Sequence, residues 1–191
     1  MVTPTFDLRA SGRAAATRVT PADAAPLRYR LDVVATGAAD VVESAGGWLY
    51  DRVMAGWEVS VRLPQSCDTR ALRILGVAVS ECRSGWCETE IADRSRAVSA
   101  AAFRADPRVR DRVLASLDGR LTEVALGGDE WPPNVDRAMS RAQHVLSAAA
   151  RTFKGHALAA VGNNCATGDP VEKLLCDVWS PAEPQLVRLE R

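Results

Sequence analysis

Apolar and polar positions along the chain alternate in blocks that predict strands and helices in turn. In LRYRLDVVA, Leu27 to Ala35, the residues Tyr29, Leu31 and Val33 alternate with Arg28, Arg30 and Asp32. That period of two marks a half-buried strand. Thr36-Gly37 ends it, and a helix follows, with Val41, Val42, Ala45, Leu49 and Val53 on one stripe and Gly56 as its stop. WEVSVRLP then alternates again from Trp57 to Leu63, and Pro64 closes the strand. Asp68 is placed to cap a short helix that ends at Gly76, before a third strand at Val77 to Ser80. One long strand from Ala71 to Val79, bulged at Gly76, is the alternative.

Further on, ECRSGWCETE (81–90) reads as a polar turn and 91–105 as an irregular helix. Asp106-Pro107 opens a helix whose stripe is Val109, Val113, Leu114 and Leu117. LTEVALGG is a fourth strand. Asn134 then caps the longest predicted helix, with Val135, Ala138, Met139, Ala142, Val145, Leu146, Ala149 and Phe153 at spacings of three and four. Gly162 must lie past its end, and VEKLLCDVW reads as a last helical turn or two. The alternation predicts an α/β three-layer sandwich. Its sheet is mostly parallel, with about four to five strands, and it carries one long C-terminal helix. Residues 27–179 are expected to form a single domain between an N-terminal tail (1–26), with an edge strand near Phe6 to Leu8, and a C-terminal tail (180–191).

The adjacent glycines Gly46 and Gly47 raise the question of a phosphate-binding loop. A dinucleotide fingerprint needs three glycines in the turn between the first strand and its helix. That turn, ATGAAD, has one glycine, Gly37. No G-x-x-x-x-G-K-[ST] occurs either. Each interior helical glycine costs about 1 kcal/mol relative to alanine, so the pair predicts close packing of the helix on the sheet or a bend. Trp48 and Trp57, one after each glycine site, are the candidate partner-binding patch.

Composition narrows the function classes. The 191 residues are 47% hydrophobic and 25% charged, with formal net charge zero. A general polyanion binder carries a basic excess, so nucleic acid is disfavoured. No run approaches the ~18 apolar residues of a membrane span. The first twenty residues hold no apolar signal core, and the five cysteines are odd in number. These features predict a cytoplasmic protein with reduced thiols. Cys82 and Cys87 are the weak candidates for a metal, but they sit at the wide edge of zinc-ligand spacing and no second close pair exists. No G-x-S-x-G is present, and of the two histidines His144 falls off the apolar stripe, predicting exposure. His156 could face a cleft.

In open α/β sheets ligands bind beyond the carboxyl ends of the strands. Cys67, Asp68, Asp129 and Glu130 collect on that rim and are the candidate catalytic residues, as acid/base groups or metal ligands. The arginine series from Arg94 to Arg112 is interleaved with Asp93, Asp106 and Asp111 and reads as a charged helix face.

The runs GGWLYDRVMAGWEVSV and RALRILGV, with LSAAARTFKGHALA later, resemble an uncharacterised conserved protein family of actinobacteria. The resemblance implies a lineage and carries over no activity and no site residue. The sequence alone therefore predicts a non-catalytic module that binds a protein partner, a second copy or a small ligand, with no cofactor. The alternative is a small enzyme or nucleotide-handling domain that uses the rim carboxylates.

Overall fold

The computed structural model describes residues 29–64, 67–82, 95–119, 124–127, 131–163, 169–176 and 186–188. The strands β1 (Arg30–Val34), β2 (Glu58–Pro64), β3 (Ala78–Cys82), β4 (Ser95–Ser99) and β5 (Val124–Gly127) pair in parallel in the order β3-β2-β1-β4-β5. β7 (Val171–Cys176) pairs antiparallel with β5, β6 (Ser140–Val145) with β7, and β8 (Leu186–Arg188) with β6. The predicted three-layer α/β class with a mostly parallel sheet holds. Residues 1–26 lie outside the described residues. Within the expected C-terminal tail, Leu186–Arg188 is a sheet strand.

Alternation along β1 and β2 builds both cores. Leu31, Val33, Val59, Val61 and Leu63 face α1 (Ala38–Met54), α2 (Arg70–Ile74) and α6 (Ala148–Ala160). Val34, Val98 and Leu175 face the other way, toward α3 (Ala100–Ala105), α4 (Pro107–Gly119) and α5 (Pro133–Ala138). The two-element reading of 68–80 is the observed one, and Gly56, Gly76 and Gly162 take positive φ at the helix ends.

Three predicted helices differ. Residues 95–99 are β4, 171–176 are β7, and the single long helix from Asn134 is α5, then β6, then α6. The physical reason is a polar residue at a core position of each antiparallel strand. In β6 the buried face is Ala142 and His144, and in β7 it is Glu172, Leu174 and Cys176. With His144 and Glu172 counted as polar, the period of two disappears and a helical spacing of small residues takes its place. Ser147 was the legible break: its hydroxyl accepts from the Ala150 amide at 3.0 Å and caps α6.

The paired glycines are packing glycines. A Cβ on Gly47 would stand 2.5 Å from Leu146 Cδ2, and one on Gly46 would stand 3.3 Å from Leu75 Cδ1. They also leave the helix backbone open to a side chain. Glu172 accepts from the Gly47 amide through Oε1 (2.9 Å) and from the Trp48 amide through Oε2 (2.7 Å). Lys154 Nζ lies 2.5 Å from Oε1 and donates to the Glu43 carbonyl at 3.1 Å. Glu172 and Lys154 are 3% and 5% exposed. A carboxylate buried this deeply is tolerable only because an ammonium and two amides surround it.

Two substitutions test this packing. Lys154→Met leaves the carboxylate buried without its counterion and is expected to cost about 3–5 kcal/mol in urea unfolding. Gly47→Ala is expected to cost about 1–3 kcal/mol by overpacking against Leu146. A loss well under 1 kcal/mol for Lys154→Met would remove the ion pair from the account.

Candidate active site at the strand ends

The chain runs from β1 outward to β2 and β3, then returns to the other side of β1 as β4. The strand order therefore reverses between β1 and β4. The helix after β1 lies on one face and the helix after β4 on the other, which parts the chain at the strand ends and leaves a crevice. Ser99, the last residue of β4, and Thr36-Gly37, just beyond β1, stand on its two sides. Beneath them the crevice is narrow and mostly apolar, with Val33, Ala97, Trp48 and Leu174 among its walls and Ser44 and Ser99 as its hydroxyls.

Asp40, in the first turn of α1, joins the two sides. Its Oδ2 accepts from the Thr36 amide (3.1 Å), the Thr36 hydroxyl (3.0 Å) and the Ser99 hydroxyl (2.5 Å). Oδ1 takes no hydrogen bond among the described residues. Asp40 is half-buried and Thr36 exposed, so the free oxygen belongs to a carboxylate that solvent reaches. A carboxylate at the start of a helix also lies in the favourable field of its unsatisfied amides. This arrangement offers one fixed proton acceptor at the ends of β1 and β4, next to Ser99, which lines the small apolar crevice.

Of the residues singled out from the sequence, none that the structure describes is a partner of Asp40. Asp68 follows β2 and is exposed. Its Oδ1 accepts from the Arg70 amide at 3.0 Å, and its Oδ2 lies 2.8 Å from Arg70 Nη2. Hydrogen bonds from the Arg70 side chain and then its amide hold the Asp68 carboxyl below its ordinary range. Cys67 beside it is half-exposed. Asp129, Glu130 and Cys87 lie outside the described residues, as does the side chain of Cys82. Trp48 is 2% exposed and presents no surface to a partner. Trp57 is half-buried, stacked on Tyr29 with centroids 5.0 Å apart, and Arg52 lies 4.6 Å from its ring.

His144, expected in solvent, is 1% exposed, with Nε2 2.8 Å from Asp51 Oδ2. His156 is exposed on α6. Neither histidine is among the partners of Asp40. On the opposite sheet face Arg62 pairs with Asp32 at 3.0 Å. Burial first, and then the charge of Arg112, push the Arg96 guanidinium below the usual arginine range there. Asp40 itself was missed by the sequence reading, although its place was legible: first turn of the helix after the first strand.

No protein-family model and no curated protein matches the sequence. Solved structures do resemble the fold. A deacetylase of teicoplanin biosynthesis, in complex with bog, superposes with TM-score 0.52 at 15% identity, over 84% of this chain and 99% of that one. The zinc-inhibited form of teicoplanin deacetylase Orf2 gives 0.51 at 14% identity, over 84% and 99%. The A40926 pseudoaglycone deacetylase Dbv21 gives 0.51 at 14%, over 86% and 99%.

These likenesses correct two expectations. The expectation of a non-catalytic binding module does not stand, because the neighbours that share this fold along nearly their whole length are described as deacetylases. The expectation of no cofactor does not stand either, since zinc is part of the description of one neighbour. Among the described residues, however, no three of His, Cys, Asp and Glu come together. Asp40 with two hydroxyls is a set of hard oxygen donors, and it does not fit zinc by itself. Among the described residues, no helix is long and apolar enough to cross a membrane.

A pH-dependent prediction separates Asp68 from the site. A lowered carboxyl pKa stabilises the fold above its ordinary value of about 3.9, and that contribution is lost as pH falls through the folded value. The pair with Arg70 is open to solvent and screened, so Asp68→Asn is expected to leave the melting temperature unchanged at pH 7. A clear fall at pH 7 that vanishes at pH 3 would instead make this pair a structural anchor.

Proposed function

We propose that the chain is a small hydrolase that cleaves an amide at the strand-end rim, releasing an acyl group from an amine. The carrying observation is Asp40, with one oxygen fixed by three donors and the other without a hydrogen bond among the described residues. The deacetylase neighbours, described as acting in teicoplanin biosynthesis and on an A40926 pseudoaglycone, support this reading, and an acylated amine is the substrate class we propose.

In the proposed reaction, Oδ1 of Asp40 takes a proton from water as its oxygen attacks the amide carbon. The C–N bond then breaks, and the proton passes from Asp40 to the leaving nitrogen. This leaves a carboxylic acid and an amine; the acid then gives its proton to the amine, so the final products are a carboxylate and an ammonium and both atoms and charge balance. Thr36, exposed beside Asp40, suits the polar amine end of a substrate that approaches from solvent. No step is assigned to a metal, because the described donors do not form a set for one.

The test is release of free amine from a panel of N-acyl amino sugars and glycopeptides, with and without added divalent ions. Hydrolysis is expected, and Asp40→Asn is expected to lower kcat by about 10²–10⁴-fold with an unchanged melting temperature. If the wild-type chain releases no amine from any member under any ion, the hydrolase reading fails.

A further inference from the structure

Resting on that reading, we infer that Ser99 is a positioning residue which fixes the orientation of the Asp40 carboxylate so that its free oxygen is held in one place to act. Ser99 ends β4 and caps α3: its hydroxyl oxygen accepts from the Ala102 amide at 3.1 Å. The same oxygen stands 2.5 Å from Asp40 Oδ2. A serine hydroxyl has one hydrogen. With the Ala102 amide donating to the oxygen, the hydrogen is directed at Oδ2. Ser99 is 4% exposed, so water does not compete for that hydrogen.

Thr36 cannot do this alone. Its hydroxyl also donates to Oδ2, but Thr36 is exposed and lies only four residues from Asp40 on the same side of the crevice. Ser99 comes from the other side, fifty-nine residues away along the chain. It is the contact that fixes the carboxylate across the reversal of strand order. Without it, the Asp40 carboxylate keeps only the two Thr36 donors, both from one side, and tilts more widely about them. With it, Oδ2 is held from both sides and Oδ1 is held in one direction. The residue touches no reacting atom; it acts through Asp40.

The experiment compares Ser99→Thr, Ser99→Ala and Ser99→Gly in the full chain, reading kcat, KM and melting temperature on the best substrate of the panel. Threonine keeps the hydroxyl and caps helices well. Glycine keeps most of the capping stability but has no donor, and alanine loses both. The expected result is a kcat about tenfold or more lower in both Ser99→Ala and Ser99→Gly, KM within about twofold, and Ser99→Thr within about threefold of wild type. The two donor-less variants should match in kcat while differing in melting temperature.

A kcat that follows melting temperature instead, with Ser99→Gly close to wild type, would make Ser99 a helix cap only and overturn the inference. Ser99→Thr as poor as alanine would overturn it too. A wild-type chain with no activity on the whole panel defeats the hydrolase reading itself, and this inference with it. That outcome is distinct from an active enzyme indifferent to Ser99.

Discussion

A buried carboxylate pressed against the middle of a helix organises this molecule. Glu172 receives two amides of α1 and the ammonium of Lys154 from α6, so three elements meet on one side chain. The contact needs Gly46 and Gly47. Any side chain at Gly47 would meet Leu146, and the helix would be pushed off the antiparallel strands. The glycines give up about 1 kcal/mol each in helix propensity. In return the charged acceptor takes two amide bonds, each worth about 1.5–3 kcal/mol net.

The position of α1 matters because both ends of the helix have work to do. Its first turn carries Asp40 to the ends of β1 and β4. Its last turns carry Asp51 to His144, and Arg52 to the rings of Trp48 and Trp57. A shift of the helix along its axis would draw Asp40 away from Ser99. The proposed chemistry thus depends on a salt bridge that no substrate would touch.

The parallel half of the fold was legible in the sequence because its strands keep apolar residues on the buried face. Leu31 and Val33 in β1 and Val59, Val61 and Leu63 in β2 give a plain period of two. The antiparallel half was not, because His144 and Glu172 occupy core positions where a pattern search counts them as exposed. Those same two residues hold α1 in place, so what hid the strands is what fastens them. The candidate site was half legible. The rule of strand ends points to the rim, and there the sequence singles out Asp68 and not Asp40. Strand adjacency made the difference: only the pairing of β1 with β4 brings Ser99 to Asp40, and no local pattern encodes that pairing.

The two halves of the sheet share only one strand boundary, β5 with β7, with three residue pairs in register. Such a seam alone would let the antiparallel strands open while the parallel ones stay closed. α1 bridges it, since its amides and Asp51 reach β7 and β6 while its apolar stripe covers β1 and β2. Opening the seam would expose a carboxylate, an ammonium and a histidine that the closed form keeps dry. α1 therefore ties the described strands on the two sides of the seam together, so that their amide hydrogens would share the free energy of a common opening.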